Sequence, residues 1–235
     1  MLQRLLLGRS EWSEADLGSE GLDGIQFING RIGKASDRGL QEWTRLLLEG
    51  KRIVAVAGTD AHGNFNRFRQ QGIPFLTIQE HHHQLFGQMM TGVFLDSDMT
   101  EKPILNALKQ GTSVLTNGPV CTLRASNASG QSAGIGQHLS AGSIQLEIDA
   151  HSTTDFGQLE SLDIICGTTG DVAEVAVLHK VSLDGYELNL AISLDHLQPG
   201  YVRGTLITSA KNPYTGQPHF CITNPIWIDS HRRQA

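Results

Sequence analysis

The pair of side chains best suited to chemistry lies in the segment GTDAHG, residues 58–63. Asp60 and His62 are two residues apart, and in an extended chain the side chains at i and i+2 point to the same side. A carboxylate and an imidazole together suit a divalent ion such as Zn, Mn or Fe. The same two residues also fit a plainer interpretation, in which Asp60 caps the next segment and His62 makes an ordinary hydrogen bond.

The preceding segment KRIVAVAG, residues 51–58, predicts the strand that positions this pair. It is a continuous apolar run rich in β-branched residues, as expected of a parallel strand that is covered on both faces. The ligand sites of α/β folds lie beyond the carboxyl ends of such strands. Asn29 ends a second predicted strand, within residues 21–30, and could donate a hydrogen bond to a substrate at the same place.

Two ligands do not complete a metal site, because a hydrolytic zinc usually has three protein ligands and a water. The HHH run offers His81 and His83 as candidates for an extra metal ligand, although adjacent histidines point in different directions. Arg67 follows the Asp–His pair closely, and its guanidinium could bind a substrate phosphate. A solvated loop is the alternative explanation for all three residues. No catalytic acid, base or nucleophile is assigned.

The elements around the candidate site follow from periodicity and from end signals. Residues 36–50 predict a helix that Ser36 or Asp37 caps and Gly50 ends, and residues 101–111 predict a second helix. The first helix joins the two predicted strands into a βαβ unit.

Patterning and charge divide the chain into two predicted domains, an α/β domain over residues 1–120 and an antiparallel β-sandwich over residues 121–235. The second part consists of short alternating segments separated by turns, which favours a sandwich. The first part carries 12 Lys and Arg against 13 Asp and Glu, whereas the second carries 6 against 11. With 39% hydrophobic and 18% charged residues among 235, the composition excludes a disordered chain.

Several classes of partner and location are excluded by composition. The formal net charge of -6 argues against nucleic acid as the main partner. No apolar run approaches the ~18 residues of a membrane span, and the opening leucines are too few for a signal peptide. We therefore expect a cytoplasmic protein without a membrane partner. Three cysteines without CxxC spacing predict neither a disulfide framework nor a cysteine zinc site.

Four segments carry a resemblance to a known family: GKRIVAVAGTDAHG, IPFLT, ILNALKQGTSVLTNGPVCTL and ITNPIWI. They resemble the C-terminal part of PHP-domain metallohydrolases, most closely the subgroup in which the PHP barrel is followed by a small β-sandwich. The resemblance begins near residue 21 and is most specific over residues 50–124.

The resemblance implies a partial βα barrel that carries a site for two or three metal ions and hydrolyses phosphoesters. It identifies Asp60 and His62 as the last metal-ligand pair of that site. The other ligands of the family would precede Leu22, but the residues before Leu22 contain no histidine, and Gln26 stands where the family has Glu. The resemblance thus implies a portion of a hydrolase that lacks most metal ligands and is weak or inactive alone. Whether this chain holds a metal by itself stays open.

Two functions remain open at this point. In the first, the chain is part of a metal-dependent phosphoesterase with a small phosphorylated substrate. In the second, it is a non-catalytic binding or structural module that associates through its sandwich and an exposed barrel surface. A partial barrel leaves strand edges and an apolar face uncovered, so we expect a homo-oligomer or a partner chain that covers the open barrel.

Overall fold

The computed structural model describes residues 12–30, 32–61, 68–70, 77–79 and 86–230. Within these residues, strands make up 48% and three helices 15%. The described strands form several sheets, and no barrel is found among them. The expected fold class, a partial PHP-type βα barrel followed by a sandwich, is therefore wrong, because the described chain is mostly β.

The three helices of the described chain are α1 (Glu14–Leu17), α2 (Lys34–Leu48) and α3 (Glu101–Gln110). The end of α3 confirms the prediction, since Gly111 ends it with a left-handed φ of 75°. The start of α2 corrects the prediction, because Gly33 rather than Ser36 or Asp37 precedes the helix. The Ser36 hydroxyl instead lies inside the first turn and bonds both the N–H and the carbonyl of Gly33, at 2.7 and 2.8 Å.

The strands before residue 120 are short. They are β1 (Gly24–Asn29), β2 (Val54–Gly58), β3 (Phe68–Gln70), β4 (Thr77–Gln79), β5 (Met90–Val93) and β6 (Ser113–Thr116). The strands from residue 120 onward are mostly longer. They are β7 (Val120–Asn127), β8 (Ser132–Gly134), β9 (His138–Ser140), β10 (Gly142–His151), β11 (Leu159–Thr168), β12 (Val175–Val181), β13 (Glu187–Leu197), β14 (Gly200–Lys211), β15 (Pro218–Thr223) and β16 (Ile226–Asp229).

The pairing of the short strands explains why no barrel forms in the described chain. Strands β1 and β2 pair in parallel, from Gly24 opposite Val54 to Asn29 opposite Gly58, with α2 between them in sequence. This confirms the predicted parallel pair, but among the described strands the sheet has only these two. Strands β5 and β6 do not extend it: they pair antiparallel with each other, and β6 pairs with β15 of the larger sheet.

Two mainly antiparallel sheets contain the strands from residue 120 onward together with β5 and β6, and they pack face to face. One has the strand order β13-β10-β7-β8, and the other runs β12-β11-β14-β15-β6-β5, with β16 joining β14 to β9. Their facing side chains share one core, in which Leu146, Ile148, Leu162 and Leu206 are fully buried. The last two strands are separate: β15 ends at Thr223, and β16 begins at Ile226.

A second core joins the short parallel pair to the outer face of the larger sheet. Trp43 and Leu46 of α2 are fully inaccessible to solvent, and they belong to the same cluster as Tyr201, Phe220 and Trp227. The parts before and after residue 120 therefore share this core as well as the larger sheet. The division at residue 120 stays a prediction.

A buried amide fixes β2 against this sheet. The Asn224 side chain accepts a hydrogen bond from the Ala55 N–H at 2.8 Å and donates to the Ala55 carbonyl at 2.9 Å. It also donates to the Ser113 hydroxyl at 2.9 Å. Asn224 lies between the parallel pair and the sandwich and is completely buried, so its hydrogen bonds hold the strand that leads to the candidate site.

Candidate functional site

The candidate site lies at the carboxyl ends of β1 and β2. In the parallel register, Asn29 at the end of β1 stands opposite Gly58 at the end of β2. Asp60 follows two residues after Gly58 and is partly exposed, whereas the Asn29 side chain is exposed. The structure therefore brings two of the predicted site residues, Asn29 and Asp60, to the same edge of the same sheet.

The backbone at Asp60 turns sharply. Its φ of 54° lies in the left-handed region, which most L-residues avoid and which Asp and Asn adopt more readily than other side chains. The strand thus ends in a bend at Asp60 rather than continuing in extended form. The extended conformation, in which i and i+2 side chains share a side, therefore does not continue through Asp60.

Gln26 and Asn29 form a hydrogen-bonded pair beside this bend. The Gln26 amide Nε2 donates to the Asn29 Oδ1 at 2.9 Å, which leaves the Nδ2 end of Asn29 as the donor available to a ligand. Gln26 also lies close to Gly58, where a Cβ atom would stand 3.2 Å from the Gln26 Nε2. Gln26 occupies the position at which the resemblance expects Glu, so this edge carries an amide in place of a carboxylate.

A threonine of the larger sheet supports the end of β2. The Thr91 hydroxyl accepts a hydrogen bond from the Ala57 N–H at 2.8 Å and donates to the Ala57 carbonyl at 2.9 Å. Because Thr91 lies on β5, the last residues of β2 are fixed to the sandwich by a side chain far away in sequence. This support needs the antiparallel β5–β6 pairing, which the sequence patterns did not predict.

The remaining predicted site residues, His62, Arg67, His81 and His83, lie outside the described residues. Their roles as metal ligands or as a phosphate-binding group stay predictions. Within the described part of the chain, no group of three His, Cys, Asp or Glu side chains could hold a metal ion. The described donors at the site are one carboxylate, Asp60, and the neighbouring amides of Gln26 and Asn29.

The three thiols do not offer an alternative centre. Burial raises the pKa of Cys166 to about 11 and that of Cys221 to about 12, and it raises the pKa of Cys121 well above the usual value. A thiol must lose its proton to act as a nucleophile or as a metal ligand. At neutral pH these cysteines are therefore protonated thiols of the sandwich.

One polar cluster that sequence patterns did not reveal lies between α2 and the larger sheet. The Glu174 carboxylate accepts hydrogen bonds from the Arg203 guanidinium at 2.7 and 2.5 Å and from the Tyr201 hydroxyl at 2.7 Å. Arg203 is 4% exposed, and its guanidinium lies 5.6 Å from the ring centre of Trp43. Burial, with Glu174 as the next cause, raises the pKa of Tyr201. The only sequence signal was a charged residue, Arg203, inside an apolar strand.

A second such cluster, which includes Arg52, Trp227 and Asp229, lines a cavity of about 760 Å³. Arg52 donates to Asp229 at 2.5 Å and to the His138 Nδ1 at 3.1 Å, and it lies 5.9 Å from the ring centre of Trp227. These contacts join Arg52, two residues before β2, to β9 and β16. The charge of Arg52 is therefore already matched by Asp229. The cluster holds the segment before β2 against the larger sheet and is not an anion site.

Comparison of the chain with protein-family models, with curated proteins and with solved structures finds no significant match. The resemblance to PHP-domain metallohydrolases is thus untested and stays a prediction. Among the described residues, no helix is both long and apolar enough to cross a membrane.

Proposed function

We propose that the chain is part of a metal-dependent hydrolase that acts on phosphoesters of small molecules. The observation that carries the proposal is the position of Asp60, two residues past the carboxyl end of β2 and beside the end of β1. This edge is where parallel α/β units hold their ligands. A cytoplasmic location and the relation to PHP-domain enzymes belong to the same proposal.

The side chains at this edge offer the types of donor atom that a divalent ion prefers. Asp60 would supply a carboxylate oxygen and His62 an imidazole nitrogen, a combination that suits Zn, Mn or Fe. A bound divalent ion polarises a phosphoryl oxygen and makes water more acidic. Two protein ligands are fewer than the three of a typical hydrolytic zinc, and His81 or His83 is the candidate for a further one. We therefore propose that the chain alone binds metal weakly and is weak or inactive as an enzyme.

Substrate orientation is the role proposed for the neighbouring polar groups. The Oδ1 of Asn29 already accepts a hydrogen bond from Gln26. The Nδ2 of Asn29 is therefore the end that would donate to a phosphoryl or ester oxygen. Gly58 has no side chain that would press on the neighbouring Gln26 amide, whose Nε2 lies 3.2 Å from where a Cβ atom would stand. Arg67 would bind the phosphate through paired N–H donors.

The test measures bound metal and hydrolysis together. The purified chain is loaded with Mn²⁺, its metal content is determined by mass spectrometry, and bis(p-nitrophenyl) phosphate is offered as the substrate. Asp60→Asn is the informative variant, because Asn tolerates the left-handed backbone at this position whereas Ala would add strain. The matched control is Asp184→Asn, which removes an exposed carboxylate in a turn far away in sequence.

At equilibrium with added Mn²⁺, we expect the wild-type chain to hold more metal than Asp60→Asn and His62→Asn, and Asp184→Asn to hold as much as the wild type. Weak hydrolysis that disappears in the same two variants would support the enzyme assignment. Equal metal content in the wild-type chain and in Asp60→Asn would exclude Asp60 as a ligand.

The second candidate function is a non-catalytic module that associates through its sandwich. The observation that favours it is the long open edge of the four-stranded sheet at β13. No bound metal and no hydrolysis, together with stable self-association, would favour this candidate over the hydrolase.

A further inference from the structure

The described sheets present open edges of very different quality. The four-stranded sheet ends in β8 and β13, and the strand order of the larger sheet ends in β12 and β5. Strands β8 and β5 have three and four residues, whereas β13 has 11. Short edge strands offer little backbone for pairing, so β12 and β13 are the two edges of the sandwich that could accept another strand.

Strand β12 is protected against further pairing. Leu178 pairs with Ile164, but Ala176 pairs with Ile165, so Val177 is an extra residue that bulges from the edge. Lys180 adds a charge to the same strand. Bulges and lysines are the usual means by which natural sheets keep edges from pairing.

Strand β13 has neither of these features over most of its length. Residues 187–194 pair with β10 one by one, without a register shift, and β13 contains no Lys, Arg or Pro. Its core-facing side chains Leu188, Leu190 and Ile192 are only partly buried, because nothing described lies beyond β13 in the sheet. A long, regular and partly apolar edge is a site for strand addition.

We propose that a second copy of the chain pairs antiparallel with β13 about a two-fold axis at Leu190. This register places Leu190 opposite Leu190 of the second copy and Leu188 opposite Ile192 of the second copy. On the outer face, Asn189 lies opposite Ala191 of the second copy, and Glu187 lies opposite Ser193 of the second copy. The two four-stranded sheets become one sheet of eight strands, and the partly buried leucines on both sides become covered.

Charge decides between Leu190 and Ala191, the two axes that keep seven residues of the regular segment 187–194 paired between the copies. With the axis at Ala191 instead, Glu187 would face Asp195 of the second copy, and like charges directly opposite each other destabilise a strand pair. With the axis at Leu190, all pairs from residue 187 to residue 193 are apolar, polar or singly charged. The strand is thus complementary to itself, and a two-fold contact uses both edges and stops at a dimer. We expected a partner that covers an open barrel, but no barrel is found among the described strands. The β13 edge provides a different surface for association.

Analytical ultracentrifugation at micromolar concentration tests the proposal through a charge reversal. Ser193→Glu places a new carboxylate of one copy opposite Glu187 of the other at two places, so the dissociation constant of the dimer should rise about tenfold. Adding Glu187→Lys turns both contacts into attractive pairs and should restore the dimer. Within one chain the two positions are six residues apart on one strand, so only a second copy brings them together. Ser132→Glu on the opposite edge strand, β8, is the control and should leave the dimer unchanged.

A cross-link tests the axis independently of charge. Leu190→Cys places two cysteines opposite each other across the interface, within reach of a disulfide, whereas Leu188→Cys does not. We expect a covalent dimer from Leu190→Cys alone under mild oxidation. A monomeric wild-type chain, a Ser193→Glu dimer as tight as the wild type, or equal cross-linking of both cysteine variants would overturn the proposal.

Discussion

Two polar clusters of this chain use their hydrogen-bonding groups in opposite ways. At Glu174, both carboxylate oxygens accept hydrogen bonds from Arg203, and one of them also accepts from Tyr201, in a site beside α2. At the end of β1, Gln26 and Asn29 bond to each other and remain exposed, with Asp60 beside them. The first cluster matches the charges of Glu174 and Arg203 within the fold, whereas the second presents two exposed amides and the partly exposed Asp60 at the end of a sheet. The second is the cluster that we propose as the ligand site.

The largest effect is expected from breaking the buried cluster. Glu174→Ala leaves Arg203 buried without a counter-charge, and removing one partner of a buried ion pair costs about 3–5 kcal/mol of unfolding free energy. Urea unfolding measures the loss. Glu160→Ala, an exposed carboxylate on the neighbouring strand β11, is the control and should change the free energy little. A loss from Glu174→Ala no larger than that of the control would show that the pair does not hold α2 against the sheet.

A smaller loss is expected at the amide that fixes β2. Asn224→Ala leaves the N–H and carbonyl of Ala55 without their buried partner, which costs about 2–4 kcal/mol. Hydrogen exchange localises the effect: the amide of Ala55 should lose protection, whereas amides of β10 in the sandwich should keep it. Uniform loss of protection in both places would mean that the parallel pair and the sandwich unfold as one unit.

A still smaller effect is expected from the backbone at Asp60. Because φ is positive there, Asp60→Ala should lower the unfolding free energy by about 1 kcal/mol, whereas Asp60→Asn and Asp60→Gly should not. Thermal unfolding of the three variants provides the comparison. Equal stability of Asp60→Ala and Asp60→Asn would remove the reason for the left-handed bend at the site.

The smallest effect concerns pH near the buried cluster. Burial, with Glu174 as the second cause, raises the pKa of Cys166 from 9.0 to about 11. The neutral thiol therefore stabilises the folded chain fully below pH 9, and this contribution is lost as the pH rises from 9 towards 11. Iodoacetamide should accordingly react with Cys166 slowly at about pH 8 and faster above about pH 10, as mass spectrometry of the alkylated chain would report. Fast alkylation at the lower pH would contradict the assignment of Cys166 as a buried thiol.

Local patterns predicted the elements better than their assembly. Gly111 marked the end of α3, and the β-branched run before Gly58 marked β2, because both signals act within a few residues. The prediction of a barrel was wrong because the parallel pair β1–β2 does not determine where β5 and β6 pair. Strand β6 pairs with β15 and with β5 instead. The Asn29–Asp60 edge could be predicted because parallel strands end side by side. The hydrogen bonds of Gln26, Thr91 and Asn224 could not be predicted, because each needs a neighbouring residue that only the tertiary fold brings close.

The central claim, a divalent-metal site at the ends of β1 and β2, is tested most directly by paramagnetic broadening of backbone amide signals with Mn²⁺. The proposal predicts that the amides of Asn29, Gly58 and Asp60 broaden first, at less than one equivalent of Mn²⁺, and that Asp60→Asn abolishes this selectivity. The amide of Gly185, in a distant turn of the sandwich, should stay sharp at the same Mn²⁺ concentration. Broadening that spares Asn29 and Gly58, or that persists in Asp60→Asn, would contradict a metal site at this edge.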